Sequence, residues 1–298
     1  MIRFAFVILH YNSLTDTQAC IESISIKCKM HSYRIYVVDN ASPNNSGIIL
    51  KNAYNSDPNI SVILNPTNEG FAKGNNIGIT KALEDGFSDF VIVLNSDTKI
   101  LQNNFCDLIQ SVFDKSSFAV LGPTILTPKG DLFINPFGDH IIGNTELKKI
   151  KRFYSLGYFL VKTNHDKIWS FYVQIRQFKN RVKGKIIRIL KKIPKGHFFT
   201  ENCVLHGCCL IFSKKFFEKF KGFDPRTFLY LEEHILYAHV IKSGLKTVYD
   251  PDVLIWHKED GATDSIYQKS KEKKLFIYTN MIKSLNVYNE VLKEYGII

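Results

Sequence analysis

Four places in the sequence bring acidic or imidazole side chains to the end of an apolar run. The clearest is Asp89-Phe90-Val91-Ile92-Val93-Leu94-Asn95-Ser96-Asp97. Its middle is uninterrupted hydrophobic residue, which fits a strand buried on both faces of a parallel sheet. It stops abruptly at Asn95 and Asp97. Ligands of open α/β sheets sit outside the carboxyl ends of the strands, so Asp97 stands where a metal or a phosphate would be met. A single Asp after a strand is more often a turn or helix-cap residue. The second place is Asp39-Asn40, after the run ending at Val38. The third is Glu232-Glu233-His234, at the expected start of a helix. Two carboxylates there compensate the helix dipole, or one serves as a general base toward a hydroxyl. Adjacent residues point in different directions, so only one can be that base. The fourth is His257, which closes a short apolar run. Neutral imidazole is a common metal ligand, and Asp97 with His257 could hold Mg²⁺ or Mn²⁺ with positions left for phosphate oxygens.

The elements that must position these groups alternate. Strands are expected at 4–9, 33–38, 60–64, 90–95 and 118–121, with helices at 14–26, 46–54 and 104–113 and a further one that the stretch 67–76 leads into and that ends at about 84. Such alternation indicates βαβ units and a parallel sheet. Three of the strands then end in polar clusters on one edge: Tyr11-Asn12, Asp39-Asn40 and Asn95-Ser96-Asp97. No GxGxxG follows the first strand and no GxxxxGK[ST] occurs, which removes the signatures of a dinucleotide fold and a P-loop. Further on, residues 204–212 read as a strand, 214–220 as a short helix, and 232–243 as a helix ended by Gly244. Residues 247–249 and 253–256 read as short strands, and 265–292 as largely helical.

Charge is distributed unevenly over the 298 residues. The net +11 arises from residues 148–196, which carry 15 Lys/Arg against one acid, Asp166, whereas the remainder has 24 basic and 27 acidic residues. Apolar and basic residues interleave from Ile168 to Ile193, as in a basic amphipathic helix. This suits peripheral contact with an anionic membrane, or a solvated helix packed on the body. Nucleic acid is disfavoured, because no recognition motif accompanies the charge. No apolar run approaches the roughly 20 residues that cross a bilayer. The N-terminal stretch reads as a first strand rather than a signal peptide. A cytoplasmic protein, peripheral on the inner face of the cell membrane, is expected. The six cysteines show no CxxC spacing and read as reduced, mostly buried thiols.

Taken in order, these motifs resemble the family 2 glycosyltransferases of GT-A fold, in particular bacterial rhamnosyltransferase-like enzymes of surface-polysaccharide synthesis. The resemblance is carried by His10-Tyr11-Asn12, Val38-Asp39-Asn40-Ala41-Ser42, Asn68-Glu69-Gly70-Phe71-Ala72-Lys73-Gly74-Asn75-Asn76, Leu94-Asn95-Ser96-Asp97, Phe228-Leu229-Tyr230-Leu231-Glu232-Glu233 and His257. It implies a Rossmann-like, mainly parallel central sheet flanked by helices. The transferase domain would span 1–262, comprising a nucleotide-binding half at 1–125, a basic insertion at about 140–200 and an acceptor half at 201–262. A helical extension would follow at 263–298.

The resemblance further implies an inverting, metal-dependent transfer from a UDP- or dTDP-sugar to a hydroxyl of a glycan or lipid-linked acceptor. Tyr11, Asp39, Asn68, Gly70, Asn75, Asn95, Ser96 and Asp97 would line the nucleotide-sugar site, with Asp39 on the base. Asp97 matches the last position of the family's DxD-like element and, with His257, would hold Mg²⁺ or Mn²⁺. Asn95 stands where many members carry the first Asp, leaving one carboxylate fewer for the metal. Glu232-Glu233 matches the family's Glu-Asp pair, which makes Glu233 the base, one methylene longer than usual. Two other readings compete. A sugar-phosphate nucleotidyltransferase would need a glycine-rich basic loop after the first strand, which His10-Tyr11-Asn12-Ser13 lacks. A catalytically inactive membrane-binding or scaffold protein would have no use for Asp39, Asp97, Glu233 and His257 together.

Overall fold

The computed structural model describes residues 2–128, 135–173, 175–176, 198–258 and 270–298. The first half follows the alternation read from the sequence: β1 (Arg3–His10), α1 (Leu14–Lys27), β2 (Ser32–Asp39), α2 (Ser46–Tyr54), β3 (Ile60–Leu64), α3 (Gly70–Glu84), β4 (Phe90–Asn95), β5 (Thr98–Ile100), α4 (Phe105–Ser116) and β6 (Val120–Leu126). There follow α5 (Asn144–Lys162), β7 (Thr200–Glu201), β8 (Cys209–Ser213), α6 (Lys214–Phe217), α7 (Glu232–Lys242), β9 (Thr247–His257) and α8 (Lys271–Glu294).

Among the described residues these strands form one sheet in the order β3-β2-β1-β4-β8-β6-β9-β5, with β7 beside β9. β3, β2, β1 and β4 run parallel. β8 lies antiparallel between β4 and β6, and β6 pairs with β9 in parallel again.

The uninterrupted apolar strands are explained by two cores. Side chains alternate across a strand, and here both faces are covered. Phe4, Phe6, Ile8, Ile92 and Leu94 pack with Ile21 and Ile24 of α1 and Phe105 and Ile109 of α4. Ala5, Val7, Val91 and Val93 pack on the other face, with Ala72 and Ile79 of α3 and Leu236 and Val240 of α7. A third cluster joins α5, α7 and α8 through Leu147, Ile235, Ala238, Leu285 and Tyr288. Thus α7 is packed on both sides, against the sheet and against the helical pair, which fixes the direction in which its first turn points.

Three expectations need correction. Residues 204–208 are not strand: β8 begins at Cys209. The His206 amide donates to Asn135 Oδ1 (3.0 Å) and the Cys208 amide to His206 Nδ1 (3.2 Å), so local side-chain acceptors take the donors a ladder would use. The two short strands expected at 247–256 are one strand, β9. Its register with β6 jumps from Pro123↔Asp250 to Thr124↔Leu254, and the residues looped out include Pro251, which has no amide to give. Third, α5 is a 19-residue helix in a stretch where the sequence predicts no element. Of the helix expected over 168–193, residues 168–173 and 175–176 are helical, and the remainder lies outside the described residues.

All six cysteines are buried and free. No described helix is long and apolar enough to cross a membrane.

Candidate functional site

Parallel register fixes the first part of the site. His10 pairs with Asp39 and Leu9 with Asn95, so β1, β2 and β4 end level and their polar tails meet. They border a cavity of about 790 Å³ whose wall includes Tyr11, Asn40, Asn68, Gly70, Asn95, Ser96 and Asp97.

The loop entering α3 is tied to these ends by Asn40. Its Nδ2 donates to Asn68 Oδ1 (3.0 Å) and Gly70 O (3.1 Å). Its Oδ1 accepts from the Glu69 amide at 3.0 Å. Gly70 has φ +77, and a Cβ there would stand 2.2 Å from Phe228 O, so both backbone conformation and close approach require glycine.

Two predicted residues stand apart from this wall. Asp39 packs against Gly47 at the start of α2, where an added Cβ would lie 2.1 Å from its Oδ2, and accepts from the Ser42 amide at 3.3 Å. Asn40, rather than Asp39, is the cavity residue at that strand end. Asn75 is fully buried in α3, donates to Phe71 O at 2.9 Å and is not in the cavity wall.

The second part gathers around Asp97. Pairing of β5 with β9 sets Thr98 opposite His257, and the Lys258 amide donates to Asp97 O at 3.1 Å. His257 Nε2 therefore lies 3.2 Å from Asp97 Oδ1. Both residues are buried, and among the described residues Asp97 Oδ2 and His257 Nδ1 have no hydrogen-bond partner. Buried polar atoms of this kind are costly unless something else satisfies them. A carboxylate oxygen and an imidazole nitrogen suit Mg²⁺ or Mn²⁺. Among the described residues no group of three or more His, Cys, Asp or Glu is placed to hold a metal. Asp97 and His257 thus fit a two-ligand site, whose remaining positions would fall to phosphate oxygens and water.

Opposite Asp97 the cavity is closed by the first turn of α7. Tyr230 (φ 77) and Leu231 (φ 67) precede it, two consecutive non-glycine residues in the left-handed region. Such strain persists where packing over-determines it, and here it turns the chain so that the two glutamates diverge. Glu232 is buried and still borders the cavity. Burial, and then the charge of Glu233, push its carboxyl up to about 8. Glu233 instead faces the turn before β8, with its Oε1 accepting from the Gly207 amide at 3.2 Å.

His206, which sequence reasoning did not single out, completes this wall. Its Nδ1 accepts from the Cys208 amide, so in the neutral ring the proton is on Nε2. Burial lowers its pKa against the raising effect of Glu233. Phe276 and Met281 of α8 and Phe228 line the same end, so the helical extension contributes to the cavity.

The sequence model of Glycosyl transferase family 2 matches residues 5–220. Two N-acetylglucosaminyltransferases are similar over part of the chain. That of Rhizobium meliloti (strain 1021) is 30% identical over 122 residues, covering 41% of this chain and 28% of the relative. That of Sinorhizobium fredii (strain NBRC 101917 / NGR234) is 28% identical over 117 residues, covering 39% and 27%. The match thus spans less than a third of either relative's length. Among solved structures, S. aureus TarS 1-349 in complex with UDP-GlcNAc superposes with a TM-score of 0.55 at 14% identity, covering 99% of this chain and 71% of that one. GalNAc-T7 with UDP, GalNAc and Mn²⁺ superposes with 0.61 at 13% identity, covering 99% and 50%. At such identities the likeness is one of fold, a central sheet flanked by helices.

Proposed function

The chain belongs to glycosyl transferase family 2; from that premise we propose that it is a glycosyltransferase that moves a sugar, with inversion, from a nucleoside-diphosphate sugar to a hydroxyl of a glycan or lipid-linked acceptor. The observation that carries this reading is that Asp97 and Glu233 line one cavity, with Glu232, which also borders it, almost wholly buried and its carboxyl pushed up to about 8. One carboxylate is thereby free for the donor's leaving group and one for the acceptor.

Residues 1–262 form the transferase domain in this reading, and 263–298 its helical extension. The nucleotide end is assigned to Tyr11, Asn40, Asn68, Gly70, Asn95 and Ser96, with Asp39 beneath it as support and base-binding residue. Asn75 acts from within α3, by holding the turn at Phe71. Glu233 takes the proton of the acceptor hydroxyl as that oxygen bonds to the anomeric carbon. The bond from this carbon to the diphosphate breaks, and its electron pair leaves on the nucleoside diphosphate. Attack and departure on opposite sides of one carbon invert its configuration.

Glu232 stays protonated near neutral pH, which leaves Glu233 the better base of the two. The Gly207 amide holds the general base in place, and His206 stands within electrostatic reach of it. Asp97 and His257 would hold Mg²⁺ or Mn²⁺, which when bound neutralises the departing diphosphate. The donor is UDP- or dTDP-linked, and the names of the relatives make UDP-GlcNAc the first to try. The acceptor is met on the cytoplasmic side of the membrane, in synthesis of a cell-surface polysaccharide.

A direct test incubates the purified protein with a panel of UDP- and dTDP-sugars and membrane-extracted acceptor, with Mn²⁺ or after chelation. Product of inverted anomeric configuration, formed only with metal, is expected. A product that retains the donor configuration would overturn the single-displacement mechanism.

A further inference from the structure

Two adjoining helical segments expose a set of large apolar side chains. Leu156 and Phe159 project from α5, being 50% and 60% exposed. In the helical residues that follow, Ile168, Phe171, Tyr172 and Ile175 are 63%, 65%, 49% and 40% exposed. Their spacing of three, four and seven places them on one stripe of a helix. Trp169, between them in sequence, is turned inward. It closes on Gly157, where an added Cβ would meet its ring at 2.8 Å. It stands 4.8 Å from the Phe153 ring and donates from Nε1 to Tyr278 OH at 2.7 Å. The stripe is thus a fixed face of the fold, held on one side and bare on the other.

Charge decides what could cover it. Lys162 and Lys167 adjoin the stripe in sequence, within the segment 148–196 that holds 15 cations and one acid. That acid, Asp166, is paired with Lys274 at 3.4 Å. A nucleic acid would find cations here, but gains nothing from exposed Leu156, Ile168 and Ile175. An anionic bilayer satisfies both properties: apolar side chains enter the boundary between headgroups and acyl chains, and lysines and arginines meet the phosphates.

We propose that this face, Leu156 and Phe159 together with the stripe Ile168–Phe171–Tyr172–Ile175, seats the protein on an anionic lipid bilayer and presents the acceptor end of the cavity to it. The link to the cavity is α8. Its Lys274 and Tyr278 hold the stripe, and Phe276 between them lines the cavity beside Phe228 and Met281. A saccharide on a lipid carrier would therefore reach Glu233 from the membrane side. Only this second half rests on the transferase reading; docking stands on the exposed face alone.

The test uses the full chain with vesicles of phosphatidylcholine alone or mixed with phosphatidylglycerol, read by flotation. Binding to the anionic vesicles, weakened by salt, is expected. The triple variant Phe159→Ser, Ile168→Ser, Phe171→Ser should lose on the order of tenfold or more in vesicle partition. The same variant should keep its melting temperature and its rate with a water-soluble acceptor. Ile48→Ser with Ile49→Ser, which alters exposed apolar residues elsewhere, should bind as the parent does. Should the triple variant unfold, Phe171→Ser alone supplies the reading.

No flotation with anionic vesicles overturns the proposal, as does capture by an acidic protein without flotation. Unchanged partition of the folded triple variant overturns it too, because charge alone would then hold the protein. Flotation without transferase activity in any donor panel would leave the docking face standing and remove the functional reading instead.

Discussion

The Gly207 amide donates to Glu233 Oε1 at 3.2 Å, and a Cβ added to Gly207 would stand 2.6 Å from that same oxygen. The glycine both holds the carboxylate and leaves it room. Gly207 is not in the left-handed region, so alanine fits the backbone and acts on the site by its methyl alone. Gly207→Ala should lower kcat by roughly 10²-fold, as expected for a catalytic group displaced by about an ångström, with donor affinity unchanged. Glu233→Gln should cost about 10²–10⁴-fold, the usual worth of a general base. Steady-state kinetics beside nucleotide titration checks both; a folded Glu233→Gln protein of parental rate removes the base assignment.

Glu232 gives a dependence of stability on pH. Burial and the neighbouring Glu233 raise its carboxyl to about 8 in the folded protein, against about 4.3 in an unfolded chain. The folded state therefore binds the proton more tightly. The associated stabilisation is fully present below the unfolded value and is lost as pH rises through about 8. The melting temperature should fall progressively from about pH 4.3 to about pH 8 and level off above it. Glu232→Gln, which keeps the shape without the charge, should flatten that fall and melt higher than the parent at the alkaline end. A parallel decline of both proteins in thermal melts would place the titrating group elsewhere.

The strand-end residues were legible because a doubly covered parallel strand must be apolar throughout, so its polar end is conspicuous. Asp97 and Asn95 are read that way, and the level register of β1, β2 and β4 brings them together with Tyr11. For Asn75 the motif gives its position and not its helical phase. Gly70 and Phe71 open the helix at the cavity, and four residues on the side chain bonds back to Phe71 O inside the protein. His206 was invisible for a different reason. Val204 to Phe212 has the apolar character of a strand, and the bonds from the His206 amide to Asn135 Oδ1 and from the Cys208 amide to His206 Nδ1 break it into a turn. Its closeness to Glu233 depends on α7 docking onto that turn, a relation between residues 26 positions apart and more. The helix α5 was hidden by its many lysines, whose apolar partners lie in α8.

Asn40 is the joint between two strand ends and the α3 loop, holding Asn68, Glu69 and Gly70. Asn40→Ala leaves buried groups unpaired, at a cost of about 1–3 kcal/mol. The loss should appear twice, as a lower melting temperature and as a several-fold higher KM for the donor, with kcat less affected. Asn40→Asp keeps the acceptor and loses the donating Nδ2, so it should retain the bond from the Glu69 amide but release Gly70. Equal donor KM in all three proteins would show that the loop is held by its Phe228 contact alone.

Asp97 and His257 are incompletely partnered and lie against one another. Among the described residues Asp97 Oδ2 and His257 Nδ1 find no hydrogen-bond partner, while Oδ1 and Nε2 stand 3.2 Å apart. Without metal, then, Asp97→Asn should leave the melting temperature unchanged or raise it, since a buried charge with one partner is removed. With metal and nucleotide the order should reverse. A ligand that binds only the folded state raises stability by an amount set by its concentration over its Kd. Mn²⁺ with UDP should therefore raise the melting temperature of the parent, and neither Asp97→Asn nor His257→Ala should respond. Chelation should return the parent to the value it has without ligand. A full nucleotide-dependent rise in Asp97→Asn would mean that the diphosphate is held without this carboxylate, and the two-ligand site would have to be abandoned.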